Sequence, residues 1–301
     1  MNSSPDISSL SGTDQKAGME MTDAVPDSKE AEDALTRLFP ERRISRVLLV
    51  NPPDSHAGLF QYDTAKRGRY TNYPPYGLII LARNLREIGV EVEICNLNHE
   101  VLKQCHATEK TDEFDYDAAW SGPLDTAVEN FAPDLICATC MFTMTHLSFK
   151  RVCERVASHG VPLAVGGVHV SNDVERVLDD ISCARMAFLH EGELALNGFV
   201  QVVNGEAATD TLAQLIIDEC GKRFRFSGEK RPTEDDCNLL PSWDLAAPEE
   251  NAQFGTIGSF YYLKPKDARF ATILSNRGCR AQCTFCSLRS FNGAGVRLRD
   301  V

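Results

Sequence analysis

From Arg46 onward the chain alternates short apolar runs with stretches of helical periodicity. RVLLVN (46–51) is a run of the kind buried on both faces of a parallel sheet, and Asn51, Pro52 and Pro53 stop it. PPYGLIILARNLREIG (74–89) opens on a proline pair, places apolar residues at helical spacing and ends on Gly89, the start and stop signals of a helix. VEVEICN (90–96) follows as a strand. The stretch 97–132 is polar, acidic and weakly periodic, and reads as an insertion or long connection with room for one helix. Beyond it come a strand in DLICATC (134–140), a helix over 144–159, a strand in VPLAVGG (161–167), a helix over 171–180, a strand in ARMAFLH (184–190) and a helix over 193–203. Five strands alternating with helices predict an α/β fold with a doubly wound parallel sheet in flavodoxin-like order. A further helix over 211–220, an irregular linker and a strand in RFATILSN (269–276) complete the expected elements.

Composition adds the ends. Residues 1–43 are rich in Ser, Asp, Glu and Thr and poor in aromatic and β-branched residues, which predicts a disordered acidic tail with room for a short helix at 30–39. The expected organisation is therefore this tail (1–43), an α/β domain (44–203), a linker region (204–268) and the start of a second domain (269–301). Lys and Arg total 31 against 43 Asp and Glu, a net charge of -12, so nucleic acid is not an expected partner. No apolar run is long enough to span a bilayer and the N-terminus lacks the basic and apolar regions of a signal peptide. No membrane partner is expected, and the expected location is the cytoplasm. Eleven Cys in such a chain read as thiols, some of them metal ligands, and not as a disulfide framework.

In an open α/β sheet the ligand lies beyond the carboxyl ends of the strands. Those ends are Asn51 to His56, Thr139 to Thr143, Gly166 to His169 and His190 to Glu193. Gly166 and Gly167 permit close approach of backbone to ligand or simply make a tight turn; Thr143 suits a helix cap as well as a ligand contact, and Glu191 a helix N-terminus. Cys137 and Cys140, three apart on a strand, point to opposite faces and make a poor metal pair. Near the C-terminus, Cys279, Cys283 and Cys286 stand at CxxxCxxC spacing on a loop leaving a strand. Three thiolates on one loop suit three irons of a cubane cluster with the fourth iron open. A structural zinc would need a fourth ligand, such as the distant Cys237.

RGCRAQCTFC (277–286) closely resembles the cluster loop of radical S-adenosylmethionine (radical SAM) enzymes. VLLVNPP, YPPYGLIILARNLREIGVEVEI, APDLICATC, VPLAVGGVHV and LHEGE resemble, in order and spacing, the cobalamin-binding domain of the cobalamin-dependent class, and LLPSWDLA (239–246) resembles its linker. The resemblance implies a flavodoxin- or Rossmann-like domain of the cobalamin-binding type followed by the start of a radical SAM partial barrel of TIM type. It implies a 4Fe-4S cluster on Cys279, Cys283 and Cys286, S-adenosyl-L-methionine (SAM) on the open iron, and cobalamin beside Asn51, Thr139, Thr143, Gly166, Gly167, His169 and Glu191. His56 sits in DSHAG, one residue short of the DxHxxG spacing whose His ligates cobalt in some cobalamin proteins, and reads as a loop residue. The implied activity is methyl transfer to an unactivated carbon of a small molecule by way of a 5′-deoxyadenosyl radical and methylcobalamin, with electrons from a flavodoxin or ferredoxin. Cyclase or rearrangement chemistry, methylthio transfer and a non-catalytic cobalamin-binding fragment are the alternatives. With 15 residues after Cys286 the chain reads as a fragment or a short relative of such enzymes.

Overall fold

The computed structural model describes residues 28–219, 221–256 and 272–300. Five parallel strands, β1 (Arg46–Asn51), β2 (Glu91–Asn96), β3 (Leu135–Thr139), β4 (Leu163–Gly166) and β5 (Met186–Phe188), carry the fold. Two antiparallel strands, β6 (Leu215–Glu219) and β7 (Lys222–Phe226), extend the sheet, whose order is β2-β1-β3-β4-β5-β6-β7. The first five positions of this order are the flavodoxin-like arrangement expected from the sequence.

Side chains that alternate along each strand feed two cores. Leu48 and Val50 of β1 join one core while Val47 and Leu49 join the other. On the first face lie α4 (Leu97–Ala107), α5 (Tyr116–Phe131), α6 (His146–Ala157), α7 (Val168–Asn172) and α8 (Val174–Asp180). On the second lie α1 (Ser28–Leu38), α3 (Tyr76–Glu87) and α9 (Glu193–Val203), while α2 (Tyr62–Lys66) packs beside α4. Cys137 and Cys140 fall in opposite cores, as strand alternation requires.

Four expectations are corrected. Residues 28–43 do not continue a disordered tail: the short helix read at 30–39 is α1, which presents Ala34 and Leu35, followed by Phe39 and Ile44, to the second core, enough apolar surface to order the segment. The expected disorder of 1–27 lies outside the described residues. The stretch 97–132 holds two helices, each N-capped by a side chain, Asn96 accepting from His99 N–H and Asp115 from Ala118 N–H. The segment expected as a helix over 211–220 forms β6, because Ile216 faces one core and Leu215 and Ile217 the other, a period of two; Cys220 lies outside the described residues. Of the strand expected over 269–276, residues 269–271 lie outside those described and 272–275 form no strand; the described strand is β8 (Asn276–Cys279).

The linker region contains α10 (Glu234–Asn238) and α11 (Pro248–Phe254), and it runs back along α3. Ser242 N–H donates to Ile79 O (3.0 Å), Arg86 pairs with Asp244 (2.8 Å) and Trp243 meets Tyr76 edge-on. After it, β8, α12 (Leu288–Asn292) and β9 (Gly295–Leu298) form a ribbon in which β8 and β9 pair antiparallel. A barrel's strand-helix-strand unit pairs in parallel, so the described residues do not display the start of a barrel.

Candidate functional site

The direction of winding changes between β1 and β3, with β2 on one side of β1 and every later strand on the other. At such a switch point the loops leaving the central strands diverge and open a crevice beyond their carboxyl ends. Asn51 closes β1, and its amide donates to Asn96 Oδ1 at the end of β2 (2.9 Å). The amide nitrogen of Asn96 is itself buried without a partner.

β3 and β4 exit side by side through Thr139 and the Gly166-Gly167 pair. Gly167 has φ +105°, and a Cβ there would stand 2.5 Å from the Cys140 carbonyl oxygen and 2.9 Å from Thr139 Oγ1. Glycine at 167 is therefore demanded by the turn and by the packing of the two exits. At Gly166 a Cβ would meet Phe188 O at 3.4 Å, an ordinary contact, so internal packing does not demand glycine there.

The loop between β3 and α6 and the first turn of α6 then present Met141, Phe142, Met144 and Leu147 to solvent at 55, 56, 80 and 44% exposure. Four large apolar side chains in seven residues form a patch suited to a broad, largely apolar ligand face. Among them stands Thr143, whose hydroxyl lies 3.1 Å from His169 Nδ1. His169 is buried, and its Nε2 lies 2.9 Å from His146 Nδ1. His146 Nε2 in turn meets Asp180 Oδ2 (2.8 Å), and Lys150 Nζ donates to Asp180 Oδ1 (2.7 Å). Burial pulls the His169 pKa down, with the neighbouring imidazole acting in the same sense. Donation from Lys150, then from His146, holds the Asp180 carboxyl below its ordinary range.

At the end of β5 the backbone turns through His190, at φ +59°, into Glu191 and Glu193. Both Glu191 oxygens are engaged inside the protein: Oε1 by Arg277 (3.2 Å) and the Asn292 amide (3.0 Å), and Oε2 by Arg297 (2.6 Å). Arg277 also pairs with Glu193. The side chains of Glu191, Glu193 and Arg277 are 3, 9 and 9% exposed, so this is a buried cluster of ion pairs. It fastens the β8–β9 ribbon to the carboxyl end of β5, and Phe291 packs edge-on against His190.

Cys279 ends β8, while Cys283 and Cys286 follow on an exposed loop. Gly278 before them has φ +86°, and a Cβ there would collide with the Gly295 carbonyl of the paired strand. The donor set of three free thiols on one loop suits an iron-sulfur cluster. Its present geometry does not: among the described residues no three Cys, His, Asp or Glu side chains are grouped as a metal site requires, and Cys237 is not gathered with the loop thiols.

Comparison with known proteins gives these residues a setting. The B12 binding domain family matches residues 67–200. The chain is 25% identical over 286 residues to cytidylyl-2-hydroxyethylphosphonate methyltransferase of Streptomyces wedmorensis, covering 86% of this chain and 51% of that protein. It is 23% identical over 247 residues to an uncharacterized methyltransferase of Pyrococcus horikoshii, covering 81% of this chain and 46% of the relative. The chain thus spans about half the length of the curated relatives it matches. Among solved structures it resembles the radical S-adenosylmethionine methyltransferase TsrM of Kitasatospora setae with tryptophan and a SAM analog bound (TM-score 0.60, 18% identity, 85% of this chain and 43% of that one). It also resembles the cobalamin-dependent S-adenosylmethionine radical enzyme OxsB with aqua-cobalamin and SAM bound (TM-score 0.59, 19% identity, 87% of this chain and 31% of that one). Its α/β fold is shared with these two proteins, as the strand pattern led us to expect.

The structure brings Asn51, Thr139, Thr143, Gly166, Gly167 and His169 to one edge of the sheet, all but Asn51 within the matched residues 67–200. Glu191 lies at the same edge, but its carboxylate is directed into the ribbon. His56 is a loop residue whose Nδ1 accepts from Gly58 N–H (3.2 Å). Sequence reasoning missed His146, Lys150 and Asp180, which lie on α6 and α8 and meet His169 only through the fold. It also missed Arg277 and Arg297 as partners of Glu191, although their place within and beyond the cysteine motif was in view.

Proposed function

We propose that this chain is the cobalamin-binding and cluster-loop region of a cobalamin-dependent radical SAM methyltransferase acting on an unactivated carbon of a small molecule. In this reading residues 44–203 hold cobalamin, 204–268 link, and 269–301 begin the radical SAM domain. The observation that carries it is the fastening of the β8–β9 ribbon, which bears Cys279, to the carboxyl end of β5 by Glu191, Glu193, Arg277 and Arg297, which supports a reading with both candidate centres at one edge of the sheet. The methyltransferase names of the curated relatives support the reaction class.

Bound cobalamin would supply a transferable methyl group, and the cluster with SAM a hydrogen-abstracting radical. The protein's own part is to hold and shield. Thr139, Thr143 and His169 offer hydrogen bonds to the cofactor's rim, and Asn51 closes the crevice at β1. The backbone at Gly166 allows close approach, Gly167 keeps the strand exits tight, and Met141, Phe142, Met144 and Leu147 cover apolar surface and exclude water. Cys279, Cys283 and Cys286 would supply thiolates to three irons of the cluster. Glu191 positions the cluster loop. A flavodoxin or ferredoxin would supply electrons, and the cytoplasm is the proposed setting; no helix among the described residues is long and apolar enough to cross a membrane.

The test is iron and cobalamin content after anaerobic reconstitution. Changing Cys279, Cys283 and Cys286 together to Ala should abolish iron loading and leave cobalamin retention intact. Unchanged iron content would refute the cluster assignment.

A further inference from the structure

The chain Thr143–His169–His146–Asp180–Lys150 crosses from the open edge of the sheet to the surface, and with both imidazoles neutral the chemistry of its far end orders every proton along it. The Lys150 ammonium has only donors, so Asp180 Oδ1 accepts from it at 2.7 Å. An ionised Asp180 has only acceptors, so the proton in its 2.8 Å contact with His146 belongs to His146 Nε2. A neutral imidazole with Nε2–H has a bare Nδ1, which must accept at 2.9 Å from His169 Nε2–H. His169 then has a bare Nδ1, and the 3.1 Å contact can be made only by the Thr143 hydroxyl donating to it.

We infer that Asp180, acting through His146 and His169, fixes the hydrogen-bond polarity of Thr143, so that this hydroxyl faces the ligand as an acceptor and selects a donor there. Thr143 is exposed between Phe142 and Met144, and in this order its proton is directed inward and a lone pair outward. The ligand group it fits is an N–H of a primary amide, such as those on the rim of a corrin, in preference to a carboxylate. His146, His169 and Asp180 are positioning residues in this scheme. The ligand half of the inference rests on the cobalamin reading; the proton order does not.

Asp180→Asn provides the test because Lys150 dictates how the new amide must sit. Its oxygen stays toward the ammonium, so its NH2 turns to His146 Nε2 and donates. That forces Nδ1–H on His146, Nδ1–H on His169 and an outward-pointing proton on Thr143, reversing the whole chain. The side chain of Asp180 is 41% exposed, so the isosteric change leaves the fold in place. Long-range ¹⁵N–¹H spectra of histidine-labelled protein at pH 8, without ligand, should show Nε2–H on His146 and His169 in the wild type and Nδ1–H on both in Asp180→Asn. An Nδ1–H tautomer in the wild type, or unchanged tautomers in the variant, would overturn the proton order.

Titration with hydroxocobalamin should then show Kd raised about tenfold in Asp180→Asn, in line with presenting a donor where an acceptor is needed. Thr143→Val should lose a similar factor, and the double variant should be no worse than either single one. Reversed tautomers with unchanged Kd would overturn the ligand half alone. Failure of the wild type to bind hydroxocobalamin would overturn the cobalamin reading together with the ligand half, and the spectra would still decide the proton order.

Discussion

At the amino end of β1, Asp134 Oδ2 accepts from Ser45 N–H (2.8 Å), the Ser45 hydroxyl (2.9 Å) and Arg46 N–H (2.9 Å). Beside it, the Asn204 side chain exchanges hydrogen bonds with both backbone groups of Ile44 (2.6 and 3.1 Å). The carboxyl end of the same sheet is different. Four large apolar side chains stand exposed there, Gly167 and His190 hold positive φ, and Asn96 Nδ2 and His190 Nδ1 are buried without partners. One end spends its polar groups on closing the fold, and the other keeps apolar surface and polar atoms unsatisfied. Burial and hydrogen bonding favour folding wherever they are completed, so a sheet edge left incomplete at one end marks where something else is bound.

The largest expected effect is at the one place where the open edge is closed by protein. Removing the Glu191 carboxylate leaves Arg277 and Arg297 in a buried site with Glu193 alone, and breaking such a pair costs about 3 kcal/mol, the low end of the usual range because one carboxylate remains. Glu191→Ala should therefore loosen the β8–β9 ribbon while the sheet survives. Limited proteolysis checks this: cleavage should appear within residues 272–300 ahead of any cut in the seven-stranded sheet domain. Simultaneous cleavage of both would show that the ribbon is not held in this way.

A smaller effect is expected at the closed end. Burial alone would raise the Asp134 carboxyl, but donation from Ser45 and Arg46 outweighs it and holds the group below its ordinary range. A depressed carboxyl contributes stability above its unfolded pKa of about 4, and that contribution is lost as pH falls through the lower folded value. Asp134→Asn should cost roughly 1 kcal/mol in denaturant unfolding at pH 7, with the gap to the wild type narrowing below about pH 4. A gap that stays constant with pH would contradict the charge-assisted role, and cobalamin retention should be unaffected.

How far the sequence could be read follows from how local each signal is. The β1 run Val47–Val50 sits between two cores and is apolar on both faces, so the strand is legible by itself. α5 was not: it carries Pro123 in its interior and a mixed polar surface, and only its Asp115 cap betrays it. β6 looked helical because Leu212, Leu215 and Ile216 fit a 3.6-residue period, and what decides against that is pairing with β5 and β7. At the site, Gly167 and the three cysteines could be named in advance because each lies in a contiguous motif. His146, His169 and Asp180 lie on three helices, and no spacing along the chain could announce their contact.

The smallest effect on stability, and the largest on ligand, is expected at the exposed rim. The direct measurement passes the chain through gel filtration with hydroxocobalamin and records the visible spectrum of the protein peak for the wild type and for Phe142→Ser combined with Met144→Ser. Both side chains are exposed, at 56 and 80%, so the double variant should melt as the wild type does. The account predicts cobalamin co-eluting with the wild type and largely lost from the variant. A wild-type peak without cobalamin, or a variant that retains it equally, would contradict the claim that the open edge of the sheet is the cobalamin site.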